Sequence, residues 1–145
     1  MPEQSVFVAG LMLYLAEGDK KNDASISLSN ADPEIVRFFM QWLEHFLDIP
    51  MKKIKVALHL YEGMNIVSER KFWMKELGTI PSQFYKDQIR PFQKDSFSYH
   101  ESFRHGSCKI YFHSVHRKME LMLSIRAFLD TYSERRVARR RKSEA

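Results

Sequence analysis

The stretch Phe7–Gly18, FVAGLMLYLAEG, is an apolar run that ends in an acid and a glycine. It predicts a helix from about Gln4 or Ser5 to Ala16, ended by Gly18, because glycine readily takes the conformation found at helix C-termini. The run is shorter than the roughly 20 residues that a bilayer span needs, and no basic segment precedes it as in a signal peptide. We therefore expect a cytoplasmic location and no membrane partner.

Downstream of this helix, apolar residues recur with a period of two in some segments and at helical spacing in others. Ser and Lys residues alternate with apolar ones in the first two strand segments, so each is predicted to be half buried. Asp32 and Pro33 have the residue types preferred at a helix start. The predicted elements are a strand at Ala24–Asn30, a helix from Asp32 to Pro50, a strand at Lys53–Leu60, a helix from Asn65 to Gly78, an extended arm at Phe84–Phe92, a loop at Gln93–Gly106, a strand from Cys108 to His113 and a helix from Ser114 to Leu129.

The first helix and the elements after it resemble the LAGLIDADG homing endonucleases. Laid over the nine-residue motif of that family, Gly10–Gly18 matches at Leu13, Ala16, Glu17 and Gly18. The order of elements is similar to the family's helix, two strands, helix, two strands and helix, over residues 6 to about 130. The resemblance implies an α+β fold, a two-layer sandwich in which helices cover one face of a saddle-shaped antiparallel sheet.

The length and the charge pattern divide the chain into one domain and a tail. A chain of 145 residues can form one core but not two ordinary domains. Six of the eight residues from Arg135 to Lys142 are basic, and such a run repels itself and attracts polyanions. We expect a LAGLIDADG-like domain at 1–132 and a basic disordered tail at 133–145.

The outward faces of the predicted strands carry cations and hydrogen-bonding groups. Such a face can be an ordinary solvated sheet surface, or it can lie along DNA, with Lys and Arg on phosphates and Arg or Gln on base edges. The family uses its sheet to hold DNA, so the resemblance implies that double-stranded DNA is the partner. Ser25, Ser27 and Ser29 share these outward faces. The predicted contacts are Lys53, Lys55, His59, Lys86, Gln88, Arg90, Lys109, Tyr111 and His113 on the strands and the arm, and Arg139 and Arg140 in the tail.

Glu17 is the candidate catalytic residue. By resemblance, the acid before the final glycine is a ligand of Mg²⁺ at the scissile phosphates, where the metal activates water. One motif supplies one acid, so an enzyme that cuts both strands would be a homodimer joined through helix 5–16. Met12 stands where the motif has its first glycine, and Gly10 lies about 200° away around the helix. We therefore favour a DNA-binding domain whose cleavage is weak or lost, and the alternative is an active homodimeric metal-dependent endonuclease. A protein-interaction domain that uses the same sheet is a third reading.

The cysteine and four histidines are also candidates for a disulfide or a metal site. Cys108 is the one cysteine of the chain, and its place in an alternating strand predicts a buried, reduced thiol rather than a disulfide. Four histidines, His100, His105, His113 and His116, come without the further cysteine or paired ligands that a structural zinc site needs. We expect these histidines to be solvated or to face DNA.

Overall fold

The structure, a computed structural model, describes residues 1–91 and 104–144. Its helices are α1 (Glu3–Glu17), α2 (Pro33–Leu47), α3 (Ile66–Leu77) and α4 (Val115–Glu144). Its strands are β1 (Ser25–Asn30), β2 (Lys55–Tyr61), β3 (Gln88–Arg90) and β4 (Ser107–His113). Short 3-10 turns lie at Met51–Lys53 and Pro81–Gln83. Most of the predicted loop Gln93–Gly106, and the end of the predicted arm, lie outside the described residues.

The four strands form one mixed sheet in the order β1, β4, β2, β3. Strand β4 is antiparallel to both β1 and β2, whereas β3 is parallel to β2. The parallel pair follows from α3, which carries the chain back to the start of β2 before the chain runs beside it again. The α+β class is confirmed, and the expectation of a fully antiparallel sheet is wrong.

All four helices pack against one face of the sheet. Val56, Leu58 and Leu60 of β2 are buried in the same cluster as Trp42 of α2 and Trp73 of α3. The cluster also takes in Leu11 and Tyr14 of α1, and Leu121 and Ile125 of α4. Because side chains alternate along a strand, the residues between these apolar ones point to the opposite face. The fold therefore has two layers, and no helix within residues 1–91 and 104–144 covers the other face of the sheet.

The order of elements differs from the order that the resemblance implies. One strand, β1, lies between α1 and α2, and one strand, β2, lies between α2 and α3. The residues before and after each of these strands form the ends of helices, turns and a 3-10 helix, so no room is left for a second strand in either connection. Membership of the LAGLIDADG family stays a prediction.

The basic tail is helical, not disordered as predicted. Helix α4 continues from the domain to Glu144, and every residue from Asp130 to Glu144 is exposed. Glu, Arg, Lys and Ala are good helix formers, and the helix separates neighbouring guanidinium groups around its axis. An ion pair between Arg126 and Asp130, with 3.6 Å between nitrogen and oxygen, lies at the start of this exposed part.

Helix α1 packs closely on α2 at Gly10. A Cβ atom placed on Gly10 would lie 2.1 Å from Nε1 of Trp42. The Trp42 ring also stacks on Phe7, with 5.8 Å between the ring centroids, and its Nε1 donates to the carbonyl oxygens of Val6 and Phe7. The glycine of this helix thus serves packing within the chain. Pairing of two chains through helix 5–16 stays a prediction.

Candidate nucleic-acid interface

The helix-free face of the sheet brings together most of the residues that were predicted to contact DNA. His59 of β2 pairs with Gln88 of β3 and with Ser107 of β4, and Lys109 of β4 pairs with Ser29 of β1. Paired residues on adjacent strands point to the same side. The predicted residues on this face are Ser29, Lys55, His59, Gln88, Arg90, Lys109, Tyr111 and His113, and we call it the open face.

Two predicted contacts, Lys53 and Lys86, and two residues predicted to face outward, Ser25 and Ser27, are placed differently. Lys53 belongs to the 3-10 turn before β2, because the strand begins only at Lys55. Lys86 is exposed but lies before β3. Ser25 and Ser27 are buried, with 3% and 1% of their surface exposed. The chain after α1 pairs with the outer edge of β1, where the Asp19 nitrogen donates to the Ser27 carbonyl oxygen over 2.9 Å, and this covers the edge.

A pocket of about 320 Å³ opens on this face where β2 ends and β4 begins. Its polar lining comes from all four strands: Ser29, His59, Tyr61, Arg90, Ser107 and Lys109. The pocket lining therefore combines two permanent cations, an imidazole and three hydroxyl groups, and it includes no carboxylate. Such a donor set is suited to an anion that presents several oxygen atoms.

Gly106 precedes Ser107, a lining residue of this pocket, and packs closely on β2. Its φ is +69°, and a Cβ atom there would lie 2.4 Å from the His59 carbonyl oxygen. Only glycine takes this conformation at little cost and also allows such close contact with the neighbouring strand. The tight approach sets Ser107 directly opposite His59.

The surroundings of His59 in this pocket lower its pKa. Burial is the main cause that lowers the pKa of His59, and the charges of Arg90 and Lys109 lower it further. The neutral imidazole is therefore favoured at neutral pH. Its Nε2 atom is buried and has no hydrogen-bond partner among the described residues. A buried polar atom without a partner costs free energy, so a ligand that bonds to Nε2 is favoured.

An aromatic cluster adjoins the pocket on the open face. The Tyr85 hydroxyl lies 3.0 Å from Nε2 of His113, and the Tyr85 and Tyr111 rings meet edge to face with 5.8 Å between centroids. The Lys109 ammonium lies 5.0 Å from the centroid of the Tyr111 ring. Tyrosine and histidine rings beside a cation are typical of surfaces on which nucleic-acid bases stack.

Asp19 lies at the edge of the open face, close enough to Lys109 for the two charges to interact. A hydrogen bond from the Lys21 backbone nitrogen is the main cause that lowers the pKa of Asp19, and the charges of Lys118 and Lys109 contribute to the lowering. The side chain of Asp19 accepts that bond over 2.8 Å. Asp19 therefore offsets part of the charge of Lys109, while Arg90 has no acid within 4 Å in the described parts of the chain.

The exposed part of α4 forms a second basic surface. Arg135, Arg136, Arg139 and Arg140 lie within about 140° of one another around the helix axis, at 100° per residue. All four side chains are exposed. The predicted contacts Arg139 and Arg140 thus belong to a continuous arginine face, which we call the basic arm.

Glu17, the candidate metal ligand, is exposed at the end of α1. No group of three or more His, Cys, Asp or Glu residues is arranged to hold a metal within residues 1–91 and 104–144. One exposed carboxylate does not by itself form a Mg²⁺ site, because the ion requires octahedral coordination from several oxygen atoms.

The histidines and the cysteine have identifiable roles where they are described. His105 bonds to Glu69 over 2.8 Å and stacks on Phe72, so it belongs to the packing of α3. His100 lies outside the described residues. Cys108 is buried as predicted, and burial raises the pKa of its thiol.

Sequence reasoning missed three residues of the open face, Tyr61, Tyr85 and Ser107. Tyr61 continues the alternation of β2 by one residue, and Ser107 does the same before Cys108, so a longer strand assignment would have found both. Tyr85 reaches the face because its nitrogen donates to the Val56 carbonyl oxygen over 2.7 Å, a pairing that no local pattern indicates.

No helix within the described residues is both long enough and apolar enough to cross a membrane. Comparison with protein-family models, with curated proteins and with solved structures found no match to this chain.

Proposed function

We propose that this protein binds duplex DNA through the open face of its sheet and through the basic arm, with cleavage weak or lost. The observation that carries the proposal is that His59, Arg90 and Lys109, from three adjacent strands, line one pocket on the open face, which no helix of the described residues covers. Cations held together by the fold repel one another, and this repulsion is relieved when a polyanion binds.

The two surfaces are expected to contribute mainly through phosphate contacts. Each phosphate that a cation neutralises releases a counterion, so the logarithm of the affinity falls with the logarithm of salt concentration by about 0.9 per contact. Lys55, Arg90 and Lys109 on the open face, and the four arginines of the basic arm, give up to seven such contacts. Affinity should therefore fall steeply between low and physiological salt.

The test is the salt dependence of binding to a short duplex, compared between matched charge variants. Changing Arg90→Gln and Lys109→Met together removes two open-face cations and should reduce the salt slope by about 1.8. The control changes Lys71→Met and Lys75→Met, two exposed lysines of α3 on the helix side. A flat salt response in the wild type, or equal losses in both variants, would refute the proposal.

A second partner, single-stranded nucleic acid, is favoured by the aromatic cluster of Tyr85, Tyr111 and His113. Stacking of an unpaired base on an aromatic ring is worth about 1–3 kcal/mol. The same assay with a single strand of the same length separates the two partners. Tyr85 is 40% exposed, so Tyr85→Leu should weaken binding of a single strand and leave duplex binding nearly unchanged.

The endonuclease alternative requires Glu17. If cleavage occurs, it should depend on Mg²⁺ or Mn²⁺ and be lost in Glu17→Gln, which keeps the size of the side chain and removes its charge. The measurement is nicking of supercoiled plasmid by the wild type and by the variant. Equal metal-dependent nicking by both proteins would exclude Glu17 from the reaction.

A further inference from the structure

We propose that the pocket on the open face binds a single terminal phosphate group, a phosphomonoester, rather than the phosphodiester of a continuous backbone. The proposal rests on the proposed function for the source of the ligand, which we take to be the end of a nucleic-acid strand. A free nucleotide presents the same chemical group. Binding of end-phosphorylated duplexes and binding of a free nucleotide, measured separately, distinguish the two sources.

The donors of the pocket come from all four strands and line one space. Arg90 of β3 and Lys109 of β4 stand on either side of β2, about two strand spacings apart. Both line the pocket, and both charges act on His59, which lies between them. The hydroxyl groups of Ser29 and Ser107 line the same space. A phosphate group at this position can accept from two cations and from the imidazole at once.

The lining of the pocket favours a terminal phosphate. His59 lines the pocket, and its buried Nε2 atom has no partner among the described residues, so a hydrogen bond from this atom is open to an oxygen of a ligand that enters the pocket. A backbone phosphodiester carries a sugar on both sides and has two free oxygens. A phosphomonoester carries a sugar on one side and has three free oxygens, so it can insert end-on. The volume of about 320 Å³ is sufficient for this group.

The charge of the pocket matches the same ligand. A phosphomonoester has a second pKa near 6, so it carries a charge close to −2 at neutral pH, whereas a phosphodiester carries −1. The lining contains two permanent cations and no acid. The pocket therefore offers one cation for each charge of a phosphomonoester, and the imidazole adds a further donor.

Binding is measured with three duplexes of one sequence, which carry a 5′-phosphate, a 3′-phosphate or hydroxyl groups at their ends. We expect at least one phosphorylated duplex to bind the wild type about tenfold more tightly than the hydroxyl duplex, as for one or two charge-assisted hydrogen bonds. The Arg90→Gln, Lys109→Met variant should lose this preference. The Lys71→Met, Lys75→Met control should keep it.

A second measurement uses the wild-type protein alone, so it does not depend on the folding of a variant. Adenosine 5′-monophosphate and inorganic phosphate should shift the NMR signals of the His59 ring, and adenosine should not. If these small ligands shift the signals while no duplex binds, the pocket is supported and the proposed function fails. If the hydroxyl duplex binds, no phosphorylated duplex is preferred and His59 does not respond, the pocket proposal is overturned and the proposed function stands.

Discussion

Replacing Gly10 with alanine should destabilise the protein, although alanine is the better helix former. The added Cβ would lie 2.1 Å from Nε1 and 2.2 Å from Cε2 of Trp42, whereas carbon atoms in contact are about 3.5–4.0 Å apart. The indole would have to move by more than about 1 Å. That movement would disturb its 3.2 Å hydrogen bonds to the Val6 and Phe7 carbonyl oxygens and its stacking on Phe39.

The net cost is the difference between two effects. Overpacking of a well-packed core costs about 1–3 kcal/mol, and the disturbed hydrogen bonds cost about 1 kcal/mol. The change from glycine to alanine in a helix contributes about 1 kcal/mol in the opposite direction. We expect a loss of about 2 kcal/mol in the free energy of unfolding. For a domain of this size, the melting temperature should fall by about 4–8 °C.

The assay is urea and thermal unfolding of Gly10→Ala in the wild type and in a Trp42→Leu background. Leucine lacks the ring atoms that the new Cβ would meet, so the same change there should be neutral or stabilising by up to about 1 kcal/mol. An equal loss of stability in both backgrounds would show that contact with Trp42 is not the cause. Stabilisation of the wild type by Gly10→Ala would refute the close packing of α1 on α2.

Three further predictions concern the buried lysine, the pocket histidine and the first helix. The Lys118 ammonium is buried and donates to the Tyr14 hydroxyl over 2.7 Å and to the carbonyl oxygens of Asp19 and Ser25. Lys118→Met should therefore lower the free energy of unfolding by about 2–3 kcal/mol. A loss below about 0.5 kcal/mol would contradict this prediction. The pKa of His59 is lowered in the folded protein, so the unfolded chain binds more protons as the pH falls below about 6.5. The free energy of unfolding of the wild type should therefore decrease on acidification by more than that of His59→Gln. Parallel unfolding series from pH 8 to pH 5 measure the difference. The chain should be a monomer or a weak dimer without DNA, since the predicted resemblance to the LAGLIDADG motif puts Met12 where that motif has its first glycine. Sedimentation at micromolar concentration measures this. A tight dimer that is broken by Ala9→Glu, a change at an exposed position of α1, would contradict it.

The sequence determined the elements that local patterns encode. Alternation in Ala24–Asn30 and in Lys53–Leu60 predicted the strands β1 and β2, although Ser25 and Ser27 of β1 are buried rather than exposed. Asp32 and Asn65 cap α2 and α3 with their side chains, as residues of these types do. The buried state of Cys108 followed from the same alternation. The basic character of the open face was predictable because a period of two assigns each residue to one side of a strand.

Tertiary structure alone decided how these elements meet. Strand β3 pairs in parallel with β2, because α3 returns the chain to the start of β2. The residue pattern within β3 does not indicate which strand β3 will pair with. Strand order brings Arg90 and Lys109 to either side of His59, although they lie far apart in the sequence. A local pattern sets the face on which a side chain lies. The pocket depends on contacts between distant segments, whose pairing is selected by burial of the common core.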